Sequence, residues 1–230
     1  PQVLAPLDPE MAELVHKELG KNGIDLHLAN SVKEITESEV LLADGTRVAA
    51  DLVIASIGVK PDTTLAKAAG IAIGAKGGIA VNSFNQSSNP DIYAIGDAAE
   101  KSDELTGEST LIPLANIANR HGRITADHIA GKAVREVASI GTAIVKVFDL
   151  AVATTGWNAK RLAAAGKSFT EVHTHPNSHA TYYPGATQFS LKLIFDPKSG
   201  EILGAQGVGR DGVDKRIDVI ATALRAGVTA

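Results

Sequence analysis

The stretch Asn89-Pro90-Asp91-Ile92-Tyr93-Ala94-Ile95-Gly96-Asp97 constrains this chain more than any other. An apolar run drives into a glycine and a carboxylate. It reads as a buried strand, Ile92–Ile95, whose carboxyl end lies where a doubly wound sheet binds its ligand. Gly96 lets the backbone pass close to that ligand. Asp97 would repel a phosphate there but accept a hydrogen bond from a hydroxyl, so a sugar or ribityl hydroxyl is the better partner. A carboxylate that merely caps the following turn fits the same spacing, and spacing alone does not choose.

The bulk numbers leave room for such a sheet. The 230 residues are 44% hydrophobic, enough for one large or two smaller domains. The net charge is -4 and both signs are mixed, with no basic stripe for nucleic acid. There is no cysteine, which excludes disulfides, thiolate metal sites and any redox thiol supplied by this chain. No apolar run reaches membrane-spanning length and no signal pattern opens the chain, so the expected location is the cytoplasm. The chain opens Pro1-Gln2-Val3-Leu4 and stops at Gly227-Val228-Thr229-Ala230, as if cut from a larger design.

Asp8-Pro9-Glu10 reads as a helix start, with Asp8 as its cap and Gly20 at its end. Ile24, Leu26 and Leu28 alternate as a strand. Val40–Leu42 and Arg47-Val48 flank Asp44-Gly45, a hairpin signal. Asp51–Ile57 reads as a buried strand ending at Gly58. Thr63–Ala69 is a short helix and Ile79–Val81 a short strand. Glu100–Ser109 is a polar loop. Pro113 opens a long helix to about Ala130. From Ile140 strands follow at 143–148, 151–155, 169–172, 189–195 and 202–208. Helices are expected at 158–165 and 213–224. The expected fold class is α/β followed by α+β, with a boundary at Gly131–Ile140.

The segment "SSNPDIYAIGDAA" resembles the second flavin-binding motif of the pyridine nucleotide-disulfide oxidoreductases, with Ser87 where the family usually has threonine. "ADLVIASIGVKPD" (50–62), "PLANIANRHGRITADHIAG" (113–131) and "DKRIDVIATAL" (214–224) extend the resemblance along the chain. "HATYYPGA" (179–186) is similar to the coenzyme A-disulfide reductase and NADH oxidase-like subgroup. The resemblance implies partial doubly wound dinucleotide-binding domains plus a C-terminal interface domain with a mainly antiparallel sheet. The implied spans are 1–78 (NAD(P)-binding), 79–138 (FAD-binding) and 139–230 (dimerisation). It implies FAD and NAD(P)H as cofactors, a homodimer, and a small disulfide such as coenzyme A disulfide as substrate. Gly96, Asp97, Ala98, Pro113, Leu114, Ala115 and Gly58 would bind cofactor. Asn119 would lie near the substrate, and Tyr182 and Tyr183 would be catalytic. The implied activity is FAD-dependent NAD(P)H:disulfide reduction, with NADH oxidase or peroxidase activity, or a non-catalytic dimerisation module, as alternatives. The family's two GxGxxG motifs and its redox cysteine have no counterpart in these residues. Gly74-Ala75-Lys76-Gly77-Gly78 does not fit the motif.

His173, His175 and His179 have a spacing compatible with zinc, but no carboxylate or thiolate lies within the cluster, and no metal is expected. Tyr182 and Tyr183 read as the start of a strand, with one ring facing each side. Lys215 and Arg216 read as a solvated helix face paired with Asp214 and Asp218. Trp157 reads as core. Gly122, inside a helix, implies close approach of something flat or of a neighbouring backbone.

Overall fold

A computed structural model describes residues 2–134 and 138–230. The expected boundary at 131–140 includes residues 135–137, which lie outside the described residues. The chain forms two compact units. One comprises Pro1–Ile57 with Ile144–Ala230, and the other Gly58–Ala143.

The first unit opens with α1 (Pro9–Lys21), started by a proline in its first turn. A three-stranded antiparallel meander follows: β1 (Val32–Ile35), β2 (Glu39–Leu42) and β3 (Arg47–Ala49). Its second turn is the expected Asp44-Gly45 hairpin, where Asp44 Oδ1 accepts the Thr46 N–H at 2.8 Å.

The second unit carries α2 (Thr64–Ala68), a two-stranded pairing of β4 (Lys101–Ser102) with β5 (Ser109–Thr110), and α3 (Ala115–Ile129). The segment Glu100–Ser109 is therefore not simply a polar loop. Glu100 and Lys101 are both buried, at 4% exposure each.

The chain then returns to the first unit with β6 (Ala143–Val147), β7 (Leu150–Gly156), α4 (Ala159–Ala164), β8 (Thr170–Thr174), β9 (Ser190–Phe195), β10 (Ile202–Gly209) and α5 (Val213–Arg225). The five strands form one antiparallel sheet in the order β6-β7-β10-β9-β8. Alternation along the strands sends neighbours to opposite faces. Val152 and Val208 join Leu7, Met11 and Val15 of the α1 region in one core cluster. Ala153 and Ala205 join Phe189, Val213 and Ile217 in another, against α5. The sheet is thus covered by a helix on each face. Its central strand β10 is buried along its whole length. A Cβ on Gly207 would sit 2.8 Å from Val213 Cγ1, so only glycine lets α5 lie this close. The expected mixed fold with a mainly antiparallel sheet is what forms. Trp157 is buried, with the Arg161 guanidinium 3.9 Å above its ring.

Four expected strands do not form. Residues 24–28 are irregular, with Ile24 and Leu28 exposed. Residues 51–57 are irregular too, with Leu52, Ile54 and Ile57 at 79%, 80% and 96% exposure. Ile92–Ile95 makes only an isolated bridge, Gln86 to Tyr93, and Ile92 and Ile95 stay exposed. Ile79–Val81 likewise makes only isolated bridges at Ile79. A strand requires neighbours for its N–H and C=O groups, and no continuous ladder flanks these runs among the described residues.

Asp8 also departs from expectation. It stands at the start of α1 but makes no side-chain cap there. Its carboxylate instead accepts the first N–H groups of α4, from Ala159 at 3.0 Å and Lys160 at 3.2 Å.

Candidate functional site

Within the second unit, Gly96–Ala98 is a single 3-10 turn rather than a strand end. Gly96 holds φ at +76°, a left-handed conformation that favours glycine, and it faces Ala118 of α3. Gly122 lies one turn further along α3, with Ile95 Cδ1 3.5 Å from where its Cβ would be. Within the chain, what approaches that glycine is a side chain and not a neighbouring backbone. The loop before the turn is tied to the same helix, since Asn85 Nδ2 donates to His121 O (3.3 Å) and Thr125 Oγ1 (3.1 Å).

This packing sets the Gly96-Asp97-Ala98 turn against α3. The Asp97 side chain is exposed and accepts no hydrogen bond from the described residues. Lys101 reaches back beneath the turn, where its Nζ donates to Gly96 O and, at 2.7 Å, to Ala99 O. Burial pushes the Lys101 ammonium below its ordinary pKa, partly offset by the charge of Asp97. Leu114 is the extended N-cap of α3, and the helix begins at Ala115, two residues later than expected. Pro113 and Ala115 are exposed and Leu114 is half-buried. The first N–H groups of such a helix have no intrahelical partner and carry its positive dipole end. Asn119 is exposed on the same helix. Gly58 is a turn residue with φ at +99° and open space around it.

Tyr182 and Tyr183 belong to the first unit. They lie in a turn closed by Tyr183 N–H donating to Ala180 O, not at a strand start. The alternation of strand faces therefore does not apply. Both rings are exposed, at 81% and 59%, with centroids 4.7 Å apart. The three histidines each take a separate partner. His173 meets Glu10 (3.2 Å), His175 meets Ser190 (3.2 Å) and His179 meets Ser178 (3.1 Å). Lys215 is exposed, and Arg216 lies 6.0 Å above the Phe189 ring rather than against Asp214 or Asp218.

Sequence reasoning missed Lys101, which reads as one more charge in a polar run. It also missed Lys192, buried to 1% exposure. Gln206 did carry a signal. A polar side chain in the middle of an apolar strand requires a buried partner, and Gln206 donates to Asp8 Oδ2 at 2.6 Å.

An exposed carboxylate on a glycine turn, packed on a helix with a free N-terminus, joined in one chain to a helix-covered antiparallel sheet, defines a class. The chain belongs to the pyridine nucleotide-disulphide oxidoreductases. The family's main model matches residues 1–122, and the model of its dimerisation domain matches residues 142–230. Among curated relatives, the chain is 37% identical to the NADH oxidase of Methanocaldococcus jannaschii, over 100% of this chain and 52% of that protein. It is 34% identical to the CoA-dependent NAD(P)H sulfur oxidoreductase of Pyrococcus furiosus (96% and 50%). It is 30% identical to the coenzyme A disulfide reductase of Staphylococcus haemolyticus (97% and 50%). The crystal structure of reduced Bacillus anthracis CoADR-RHD superposes with a TM-score of 0.97 at 48% identity, over 99% of this chain and 42% of that one. The chain spans about half the length of the curated relatives it matches.

Proposed function

We propose that this chain serves as the C-terminal half of an FAD-dependent NAD(P)H:disulfide oxidoreductase, acting on coenzyme A disulfide or a related persulfide. The observation that carries this is the free Asp97 carboxylate on its glycine turn, packed on α3. That geometry fits a polyol hydroxyl. A carboxylate accepts such a hydrogen bond strongly, and nothing among the described residues competes for it. FAD and NAD(P)H, when bound, supply the two-electron redox chemistry.

The remaining roles fall to this chain's own side chains. Gly96 and Ala98 leave the approach to Asp97 open. The Ala115 N–H, unpaired among the described residues at the start of α3 behind Pro113, favours negative charge on a ring held against it. Gly58 turns the chain between the cofactor-binding regions. Asn119 offers its amide to the substrate. Tyr182 and Tyr183 present phenol O–H groups that can donate to a thiolate. The net reaction takes NAD(P)H, a proton and a disulfide to NAD(P)⁺ and two thiols. Its reactive thiol must come from outside these residues, because the chain has no cysteine. The helix-covered sheet of 139–230 supplies the homodimer contact, and 1–78 and 79–138 supply parts of the nicotinamide and flavin domains.

Likeness to the archaeal NADH oxidase favours a second reading, in which oxygen or peroxide takes the electrons. Product analysis of the complete enzyme separates the two. Thiol appearing stoichiometrically with NAD(P)H loss supports the disulfide reading, and water or peroxide supports the other. By itself the 230-residue chain is expected not to turn over. NAD(P)H-dependent disulfide reduction by it alone would overturn the half-enzyme assignment.

A further inference from the structure

The molecule holds two deeply buried lysines, and their surroundings differ. Lys192 has three carboxylates within 3 Å, from Asp8, Glu10 and Glu171. Lys101, at 4% exposure, has no carboxylate within 4.0 Å among the described residues. Among the described residues its ammonium meets only the carbonyls of Gly96 and Ala99. A buried charge is ordinarily paired, and two neutral carbonyls do not cancel a full positive charge.

Lys101 lines a cavity of about 250 Å³ in the second unit, beside His121 and Ser83. That volume is far above the roughly 10–15 Å³ that one water needs, and just below the range of about 300–1,000 Å³ typical of drug-sized ligands. His121 is buried to 7% exposure, and its Nδ1 has no hydrogen-bond partner. Burial holds its ring below the ordinary histidine pKa, helped by the charges of Lys101 and Arg120. A neutral imidazole can present an N–H to an acceptor. Ser83 has no side-chain partner among the described residues. The acid in the lining, Glu100, is already engaged. It accepts the N–H groups of Lys76 (2.7 Å) and Gly78 (3.3 Å) and the Ser109 hydroxyl (2.5 Å). The cavity therefore joins a buried cation, in contact with no carboxylate among the described residues and only partly offset by Asp97, to unused donors.

We infer that this cavity binds a small oxyanion, a phosphate or carboxylate group, through Lys101, His121 and Ser83. The site is distinct from the exposed carboxylate of Asp97, which repels anions, and it does not depend on the flavin reading. Occupancy completes the charge balance of Lys101 and so steadies the Gly96 carbonyl that Lys101 holds.

The test is a titration of the 230-residue chain, labelled with ¹⁵N at histidine, using inorganic phosphate and, separately, acetate. Sodium chloride keeps the ionic strength constant. His121→Asn identifies the His121 ring signals. The expected result is a saturable shift of those signals alone, with phosphate only (a phosphate ligand) or with acetate as well (a carboxylate-accepting site). Lys101→Met should weaken saturation at least about tenfold, and Ser83→Ala, a milder change, several-fold. Any one of three results overturns the proposal: no saturable shift of His121 with either anion, an equal drift of all histidines with salt, or displacement of the bound anion by stoichiometric FAD, which would make the cavity part of the flavin site.

Discussion

Asp8 and Lys192 form an ion pair of 2.9 Å in which each side chain is only 1% exposed. The pair joins the start of α1 to the middle of β9. Asp8 also bonds the N-terminus of α4 and exchanges two hydrogen bonds with Gln206 of β10, at 2.8 and 2.6 Å. One carboxylate thus ties two helices and two strands of the first unit together.

Removing one partner of a buried pair costs about 3–5 kcal/mol, because the other charge stays buried. Asp8→Asn leaves Lys192 with Glu10 and Glu171, so a loss of about 3 kcal/mol is expected. Lys192→Met strands Asp8 without a cation and should cost about 5 kcal/mol. Urea unfolding followed by the fluorescence of Trp157, the single tryptophan, reads both variants. A loss in Lys192→Met under about 1 kcal/mol would show that the pair is energetically idle.

The same cluster sets an acid limit. Burial alone would raise the Asp8 carboxyl. The Ala159 N–H and the hydrogen bonds from Lys192 and Gln206 outweigh it and hold Asp8 below its ordinary 3.8. Glu10 is likewise held below 4.5 against its burial, chiefly by Lys192. Depressed folded values contribute stability above the unfolded values, and that stability is lost as pH falls through the folded ones. The unfolding midpoint should therefore be flat with respect to these groups above about pH 5 and fall below about pH 4. Asp8→Asn should flatten part of that acid slope. An unchanged slope would remove Asp8 as its source.

Asp97 should matter to cofactor and little to stability, since its side chain is exposed. Loss of a charge-assisted hydrogen bond costs about 1.5–3 kcal/mol, or roughly ten- to a hundredfold in affinity. Asp97→Ala in the complete enzyme should weaken FAD retention by that factor, measured by flavin fluorescence on dilution. Asp97→Asn should lose less. Equal retention by wild type and Asp97→Ala would dismiss the hydroxyl contact.

The two tyrosines present the opposite case from the core. At 81% and 59% exposure, Tyr182→Phe and Tyr183→Phe should each leave stability within about 0.5 kcal/mol. Loss of a positioned proton donor costs about a hundredfold or more. At least one of the two variants should therefore lower kcat of the complete enzyme by about that factor while the melting temperature holds. If both retain full kcat, the phenols have no chemical role.

Much was legible from local pattern. The spans of α1, α3, α4 and α5, the Asp44-Gly45 hairpin and the alternating runs of β7, β9 and β10 all appear close to where sequence places them, because turn chemistry and periodicity act over a few residues. Glycine 96 before Asp97 marked a special backbone, and the family was legible in that motif. Tertiary structure decided what depends on distant partners. Ile24–Leu28, Asp51–Ile57 and Ile92–Ile95 carry strand-like sequences, yet form no strands, because a strand exists only with a neighbour to complete its hydrogen bonds. The Tyr182-Tyr183 turn brings both rings together where alternation would have split them. Asp8 looks like the cap of its own helix, but burial beside Lys192 and Gln206 turns it to the N-terminus of α4. A buried carboxylate takes the arrangement that satisfies all its acceptors, and those donors lie far along the chain.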